Sequence, residues 1–191
     1  VRGVPRVEHA MDAALGVAQA ATPLGDRVGM LAFDRQGRSL LVPTNGKSQL
    51  GRAAEAMYML EPDFSESAYQ VAFNDATARF RRRSLFIVLT DLVEAVVEQA
   101  LLPALPTITR RHLVVVAAVQ DPAVTAWAAG GAHRWASEAY REAAAVNVLH
   151  ERARAIARLR AAGAMVVDAA PGQLATELVD KYLEVKASGR L

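Results

Sequence analysis

Four aspartates stand at the ends of the four longer apolar segments of the chain: Asp34, Asp91, Asp121 and Asp168. If these segments are parallel strands, their carboxyl ends meet at one edge of a sheet, where open α/β sheets bind their ligands. Carboxylates gathered there could hold Mg²⁺ for a hydrolytic or phosphotransfer reaction, with Asp34, Asp91 and Asp121 as ligands. The alternative is that each aspartate only caps the turn after its strand.

The segments that position these aspartates alternate between apolar strands and amphipathic helices. Strands are predicted at residues 27–33, 84–89, 113–119 and 164–167, with a short hairpin strand at 39–42. Helices are predicted at 6–21, 48–60, 67–82, 94–102, 137–162 and 173–186, with residues 123–136 irregular. Pro103 and Pro106 are expected to stop the fourth helix. This alternation predicts a single α/β domain over residues 1–191, with a mostly parallel sheet and helices on both faces.

Composition excludes several classes of protein. The chain has 191 residues, 52% of them hydrophobic, and no cysteine, so disulfides and thiolate metal sites are excluded. No apolar run approaches the roughly 20 residues of a membrane helix. The 22 basic and 20 acidic residues leave a net charge of +2, which predicts no nucleic-acid partner. Gly46-Lys47-Ser48 lacks the upstream glycine of a phosphate loop, because Leu41 stands at that position.

Short motifs are spread over nearly the whole chain. Gly25-Asp26-Arg27-Val28-Gly29 opens the first strand, and Leu89-Thr90-Asp91 ends a later one. The others are Arg6-Val7-Glu8-His9-Ala10-Met11, Arg82-Arg83-Ser84-Leu85, Arg111-His112-Leu113 and the closing segment 181–191. In these motifs and their spacing the chain resembles the DUF58 family, whose domain has a von Willebrand factor A-like fold.

The resemblance implies a Rossmann-like, three-layer sandwich with strand order 3-2-1-4-5-6 and one short antiparallel strand at an edge. The central first strand of that order is absent here, so the domain is expected to be N-terminally incomplete. An empty centre would leave two rows of backbone polar groups unpaired, which is costly. We therefore expect direct pairing of the flanking strands, a borrowed strand, or a missing piece of the protein.

The resemblance also implies a metal-ion-dependent adhesion site, in which oxygen ligands hold a divalent cation, usually Mg²⁺. Asp91 falls at the third loop of such a site and Ser67 at the second. Ala68 stands where many relatives carry aspartate, and the first loop would precede this chain. The expected site is degenerate or incomplete and would hold Mg²⁺ weakly; no other cofactor is implied. The alternative is that Ser67 caps a helix and Asp91 is a turn residue.

The function implied by the resemblance is that of a non-enzymatic protein-interaction domain, working with a MoxR-type AAA+ ATPase in a bacterial system that assembles or matures other proteins. Relatives often carry hydrophobic segments before this domain, so we expect a cytoplasmic domain of a protein that can be anchored to the membrane. Two alternatives stay open. One is the Mg-dependent hydrolase or phosphotransferase described above, and the other is a structural remnant that has lost its metal site.

Two further groups of residues have more than one interpretation. Arg81-Arg82-Arg83 and Arg110-Arg111-His112 each precede a strand and are expected at the opposite edge of the sheet. They are either solvated helix ends, favourable against the helix dipole, or a docking patch for an acidic partner. Trp127 and Trp135 flank the Gly130-Gly131 break. They are either packing anchors or part of an interaction surface.

Overall fold

The computed structural model describes residues 5–34, 37–58, 67–131 and 135–191. The strands are β1 (Val28–Phe33), β2 (Gly37–Thr44), β3 (Leu85–Leu89), β4 (Leu113–Val119) and β5 (Met165–Ala169). The helices are α1 (Arg6–Ala21), α2 (Lys47–Tyr58), α3 (Tyr69–Arg79), α4 (Glu94–Val96), α5 (Leu102–Thr109), α6 (Pro122–Ala128), α7 (Ala136–Ala161) and α8 (Leu174–Ala187). A π-helical turn, Val97–Leu101, joins α4 to α5.

The strand β4 is the centre of a three-stranded parallel sheet with the order β3-β4-β5. All seven of its residues, in the run Leu-Val-Val-Val-Ala-Ala-Val, are buried. Since successive side chains of a strand point to opposite faces, β4 contributes to two separate cores. Val114, Val116 and Ala118 belong to one core, and Val115, Ala117 and Val119 belong to the other.

Helices cover both faces of this sheet. One core contains residues of α3, of α5 and of the second half of α7, and the other contains residues of α1 and α8. Leu105, Leu159 and Leu178 are fully buried members of these helices. The predicted α/β class, with helices on both sides of a parallel sheet, is therefore confirmed.

The strands β1 and β2 form a separate antiparallel sheet, so the strands make two sheets instead of the single sheet predicted. The division falls between β1 and β3, where the order implied by the resemblance places its first strand. Direct pairing of the two flanking strands, one of the three expected compensations, is not among the strand pairings of the described residues. The buried side chain of Gln49 on α2 donates to the carbonyl oxygens of Val28 and Val42 and so ties both strands of this hairpin together.

Aromatic side chains connect the hairpin to the parallel-sheet body. The Phe33 ring at the end of β1 meets the rings of Tyr69 and Phe73 on α3 edge-on, with centroids 5.4 and 6.4 Å apart. The Ala68 N–H donates to the Asp34 carbonyl oxygen at 2.8 Å. The start of α3 is thereby fixed beside the end of β1.

The prediction that Pro103 and Pro106 stop the fourth helix was wrong, since helical structure continues through both to Thr109. The π-helical turn before them shifts the hydrogen-bond register by one residue, and Pro103 then lies in the first turn of α5. Proline is tolerated at the first turn because no intrahelical acceptor is needed there. Pro106 lies inside α5.

Residues 123–136 are more regular than predicted, because α6 occupies the first half of that segment. Its partner is the first half of α7, whose side chains are mostly exposed. The prediction that the tryptophans are packing anchors was wrong for Trp135, which is 70% exposed. Trp127 is half-exposed beneath the Arg141 guanidinium, 5.6 Å from the ring centroid.

Candidate functional site

Two of the strand-end aspartates meet through an arginine that was not among the predicted site residues. The Arg6 guanidinium donates to the Asp121 carboxylate at 2.9 Å and lies 3.5 Å from the Asp91 carboxylate. The side chains of Arg6, Asp91 and Asp121 are 41%, 51% and 31% exposed. One cation is therefore shared between two carboxylates on an open rim of the molecule.

The parallel register of β3 and β4 brings the two carboxylates to the same edge. Leu89 pairs with Ala117, and the Thr90 N–H then donates to the Ala117 carbonyl oxygen at 3.1 Å. Asp91 therefore follows the tip of β3 beside the tip of β4. Asp121 caps α6 by accepting from the Ala123 N–H at 3.0 Å, so for this residue the alternative prediction of a cap is confirmed.

The electrostatics favour the charged forms of both partners. Partial burial raises the pKa of Asp121, but the Ala123 N–H and the Arg6 guanidinium outweigh it, and the pKa is lowered overall. Partial burial lowers the pKa of Arg6, but the hydrogen bond to Asp121 and the charge of Asp91 outweigh it, and the pKa is raised. The pair is therefore ionised in both partners at neutral pH.

A group of hydroxyls lies next to this ion pair. The Tyr69 and Thr90 hydroxyl oxygens are 2.6 Å apart, and Ser67 also hydrogen-bonds the Tyr69 side chain. Burial and the charge of Asp91 raise the pKa of Tyr69, so its hydroxyl stays protonated. We call Arg6, Ser67, Tyr69, Thr90, Asp91 and Asp121 the strand-tip cluster.

Ser67 and Asp91, the two residues predicted for the metal site, are thus linked through Tyr69 and Thr90. The alternative prediction, that Ser67 caps α3, was wrong. The cap position is Ala68, which makes no side-chain capping bond, and α3 begins at Tyr69. The Ser67 hydroxyl is therefore available to the cluster.

The other two predicted residues lie elsewhere or act differently. Asp168 lies inside β5, not after it. Its carboxylate receives bidentate hydrogen bonds from Arg152, whose Nε donates to Oδ2 and whose terminal nitrogen donates to Oδ1. Arg152 also donates to the Val119 carbonyl oxygen, and its side chain and that of Asp168 are only 15% and 16% exposed. Asp168 therefore joins α7 to the sheet. Asp34 follows β1, where its carbonyl oxygen accepts from Ala68.

The donors present do not fit a magnesium site. Mg²⁺ requires near-octahedral oxygen coordination. Within the ranges that the structure describes, no three Asp, Glu or His side chains lie close enough to hold a metal ion, Asp34 included. The two carboxylates that do meet share the Arg6 guanidinium, which takes the place of a cation between them. The triad of Asp34, Asp91 and Asp121 expected for a hydrolase is likewise not assembled.

Sequence reasoning missed Arg6 and Tyr69. Arg6 contacts residues 85 and 115 positions away, a separation at which no local pattern carries information. One signal was present. Arg6 is the first residue of α1, where the helix dipole disfavours a cation, so an arginine there suggests a carboxylate partner elsewhere. Leu60, the predicted end of the second helix, lies outside the described residues.

Comparison with known families adds to this geometry. The family described as a protein of unknown function, DUF58, matches residues 3–164. The chain belongs to the DUF58 family. A comparison with curated proteins found no match. None of the helices in the described part of the chain combines the length and apolar character needed to cross a membrane.

Proposed function

We propose that this DUF58 chain is a non-enzymatic protein-interaction domain whose partner binds the strand-tip cluster. The observation that carries the proposal is the grouping of a half-exposed carboxylate, a guanidinium and three hydroxyls at the tips of β3 and β4. Such a rim offers donors and acceptors together, and in open α/β sheets this edge is the binding edge.

We further propose that the domain is von Willebrand A-like. Support comes from the division of the strands into a β1-β2 sheet and a β3-β4-β5 sheet, since removing the first strand from the order 3-2-1-4-5-6 leaves the same two groups. In this proposal the strand-tip cluster is a degenerate adhesion-type site. Arg6 supplies the positive charge that Mg²⁺ would supply in a complete site.

The partner that we propose is a MoxR-type AAA+ ATPase, with the domain on the cytoplasmic side and the whole protein able to be membrane-anchored. This part rests on the likeness to DUF58 relatives. The proposed association differs from an adhesion-type mechanism in its cation. Because Arg6 is the resident cation of the cluster, we expect association to be independent of divalent ions.

The test is association of the full protein with the MoxR-type ATPase of the same bacterium, measured by biolayer interferometry. Asp91→Ala should weaken binding by about tenfold, because it removes the most exposed acceptor of the cluster. Asp75→Ala is the matched control, since Asp75 is an exposed aspartate paired only with Arg79 on α3. EDTA should change nothing. Absence of association, or equal loss in both variants, would contradict the proposal.

A further inference from the structure

Two runs of arginine lie together at the edge of the parallel sheet opposite the strand-tip cluster. Arg81–Arg83 precedes β3, and Arg110-Arg111 precedes β4. The two strands are parallel and in register from Leu85↔Leu113, and the Leu113 N–H donates to the Ser84 carbonyl oxygen at 3.0 Å. Neighbouring strands are about 4.8 Å apart, so the two runs form one patch. We call these five residues the arginine edge.

All five arginines are exposed, and within the described ranges none of them forms an ion pair with a carboxylate. This sets them apart from five other arginines of the chain. Arg6, Arg79, Arg152, Arg154 and Arg158 each contact an aspartate or glutamate. The positive charge of the arginine edge is therefore not neutralised by the carboxylates that lie on the same elements.

The helix dipole accounts for only part of this charge. Its effect falls off within the last turn and is worth about 0.3–1 kcal/mol for a favourable cation. Arg79 already occupies the last turn of α3, whereas residues 81–83 lie beyond it. Arg110 follows α5 directly, so one arginine suffices there as well. The remaining arginines have no such structural role.

The base of the patch is rigid and uncharged. The His112 ring, which is buried, packs edge-on against the Phe86 ring with centroids 4.7 Å apart. Burial, together with the charge of Arg111, lowers the pKa of His112 and keeps its ring neutral near neutral pH. The one carboxylate on α3, Asp75, is engaged by Arg79. No other carboxylate on α3, β3, α5 or β4 can compete with a partner's carboxylates for the guanidinium groups.

We propose that the arginine edge binds an acidic segment of a protein partner. Arginine forms bidentate, charge-assisted hydrogen bonds with carboxylates, and five guanidinium groups in a small area can take several glutamates or aspartates at once. A compact patch suits a short peptide segment. Nucleic-acid binding requires contacts to many phosphates along a longer basic surface, and this chain carries a net charge of only +2.

The test uses fluorescence anisotropy with the full protein and a labelled peptide of alternating glutamate and serine. Its glutamine counterpart is the neutral probe. Wild type should bind the acidic peptide and not the neutral one, and added salt should weaken binding. The Arg81→Gln, Arg82→Gln, Arg83→Gln triple variant should lose about tenfold in affinity, and adding Arg110→Gln and Arg111→Gln should remove what is left.

The control carries the same loss of charge at a different place. Arg79→Gln, Arg154→Gln and Arg158→Gln remove three exposed arginines that already have carboxylate partners, and binding should stay within about twofold of wild type. Equal loss in the control, or no binding of the acidic peptide by wild type, would overturn the proposal. So would tighter binding of duplex DNA or of phosphatidylserine vesicles than of the peptide. Circular dichroism of each variant verifies its fold.

Discussion

The bridge from Arg6 to Asp121 and Asp91 makes a quantitative prediction about the strand-tip cluster. Arg6→Gln removes the cation and keeps a shorter, polar side chain, while Asp121→Asn and Asp91→Asn remove one carboxylate each. Two double-mutant cycles, one for each carboxylate, isolate the pairwise energies from other effects of the substitutions. We expect both coupling energies to be favourable and unequal.

The magnitudes follow from distance and exposure. The Asp121 contact is short, at 2.9 Å, and is the less exposed of the two, so a coupling of about 0.5–1 kcal/mol is expected. The Asp91 contact is longer, at 3.5 Å, and half-exposed, so we expect about 0.2–0.5 kcal/mol. Raising the ionic strength from about 0.15 M to about 1 M shortens the screening length from roughly 8 Å to roughly 3 Å and should reduce both couplings.

The assay is urea unfolding followed by circular dichroism for wild type, the three single variants and the two double variants. Magnesium chloride is then added to wild type at constant ionic strength, and the free energy of unfolding should stay the same. A cation that bound only the folded state would raise it. Zero coupling between Arg6 and Asp121, or stabilisation of wild type by Mg²⁺, would show that Arg6 is not the resident cation of the cluster.

Three other predictions concern stability. Asp168→Asn leaves its largely buried arginine partner unpaired and should lower the free energy of unfolding by about 2 kcal/mol in urea titrations. Asp75→Asn, in an exposed pair, should lower it by less than about 0.5 kcal/mol. Equal effects of the two substitutions would contradict the argument from burial. Gly29→Ala places a Cβ 2.6 Å from the facing proline ring and should lower the melting temperature. Gly51→Ala, in open space on α2, should raise the free energy of unfolding by about 0.5–1 kcal/mol. A Gly29→Ala variant more stable than the Gly51→Ala variant would be incompatible with this packing. The pKa of Asp26 is lowered, because hydrogen bonds from a lysine and a tyrosine outweigh partial burial. The contribution of Asp26 to the free energy of unfolding is therefore present at neutral pH and lost as pH falls below about 4. The difference in the free energy of unfolding between wild type and Asp26→Asn should shrink over that range. A difference that grows on acidification would contradict a lowered pKa of Asp26.

The parts of the fold that local patterns determine were predictable. The run Leu113–Val119 reads as a buried strand because it is uniformly apolar, and it is the central strand of the parallel sheet. The long helix predicted at residues 137–162 is α7, Ala136–Ala161. The meeting of Asp91 and Asp121 at one edge follows from two parallel neighbouring strands, which alternation with helices already implied.

The parts that depend on distant contacts were not predictable. The Arg6 bridge joins α1 to two strand tips, and the Tyr69–Thr90 contact joins α3 to β3. Neither contact is indicated by a local pattern in the sequence. Asp168 was predicted as a strand-end candidate for the site, but its role is set by Arg152, which is supplied by α7. The helix at residues 102–109 was not predicted, because the π-helical turn that accommodates Pro103 has no recognisable sequence pattern.

Hydrogen–deuterium exchange of the complex with the proposed MoxR-type ATPase locates the surface that the partner covers, which we expect to be the strand-tip cluster. Backbone amides of residues 67–69 and 89–91, and of Gln120, Asp121 and Ala123, should exchange more slowly in the complex than in the free protein, since these segments carry five of the six cluster residues. A complex that forms while these three segments exchange at their free rates would contradict the account.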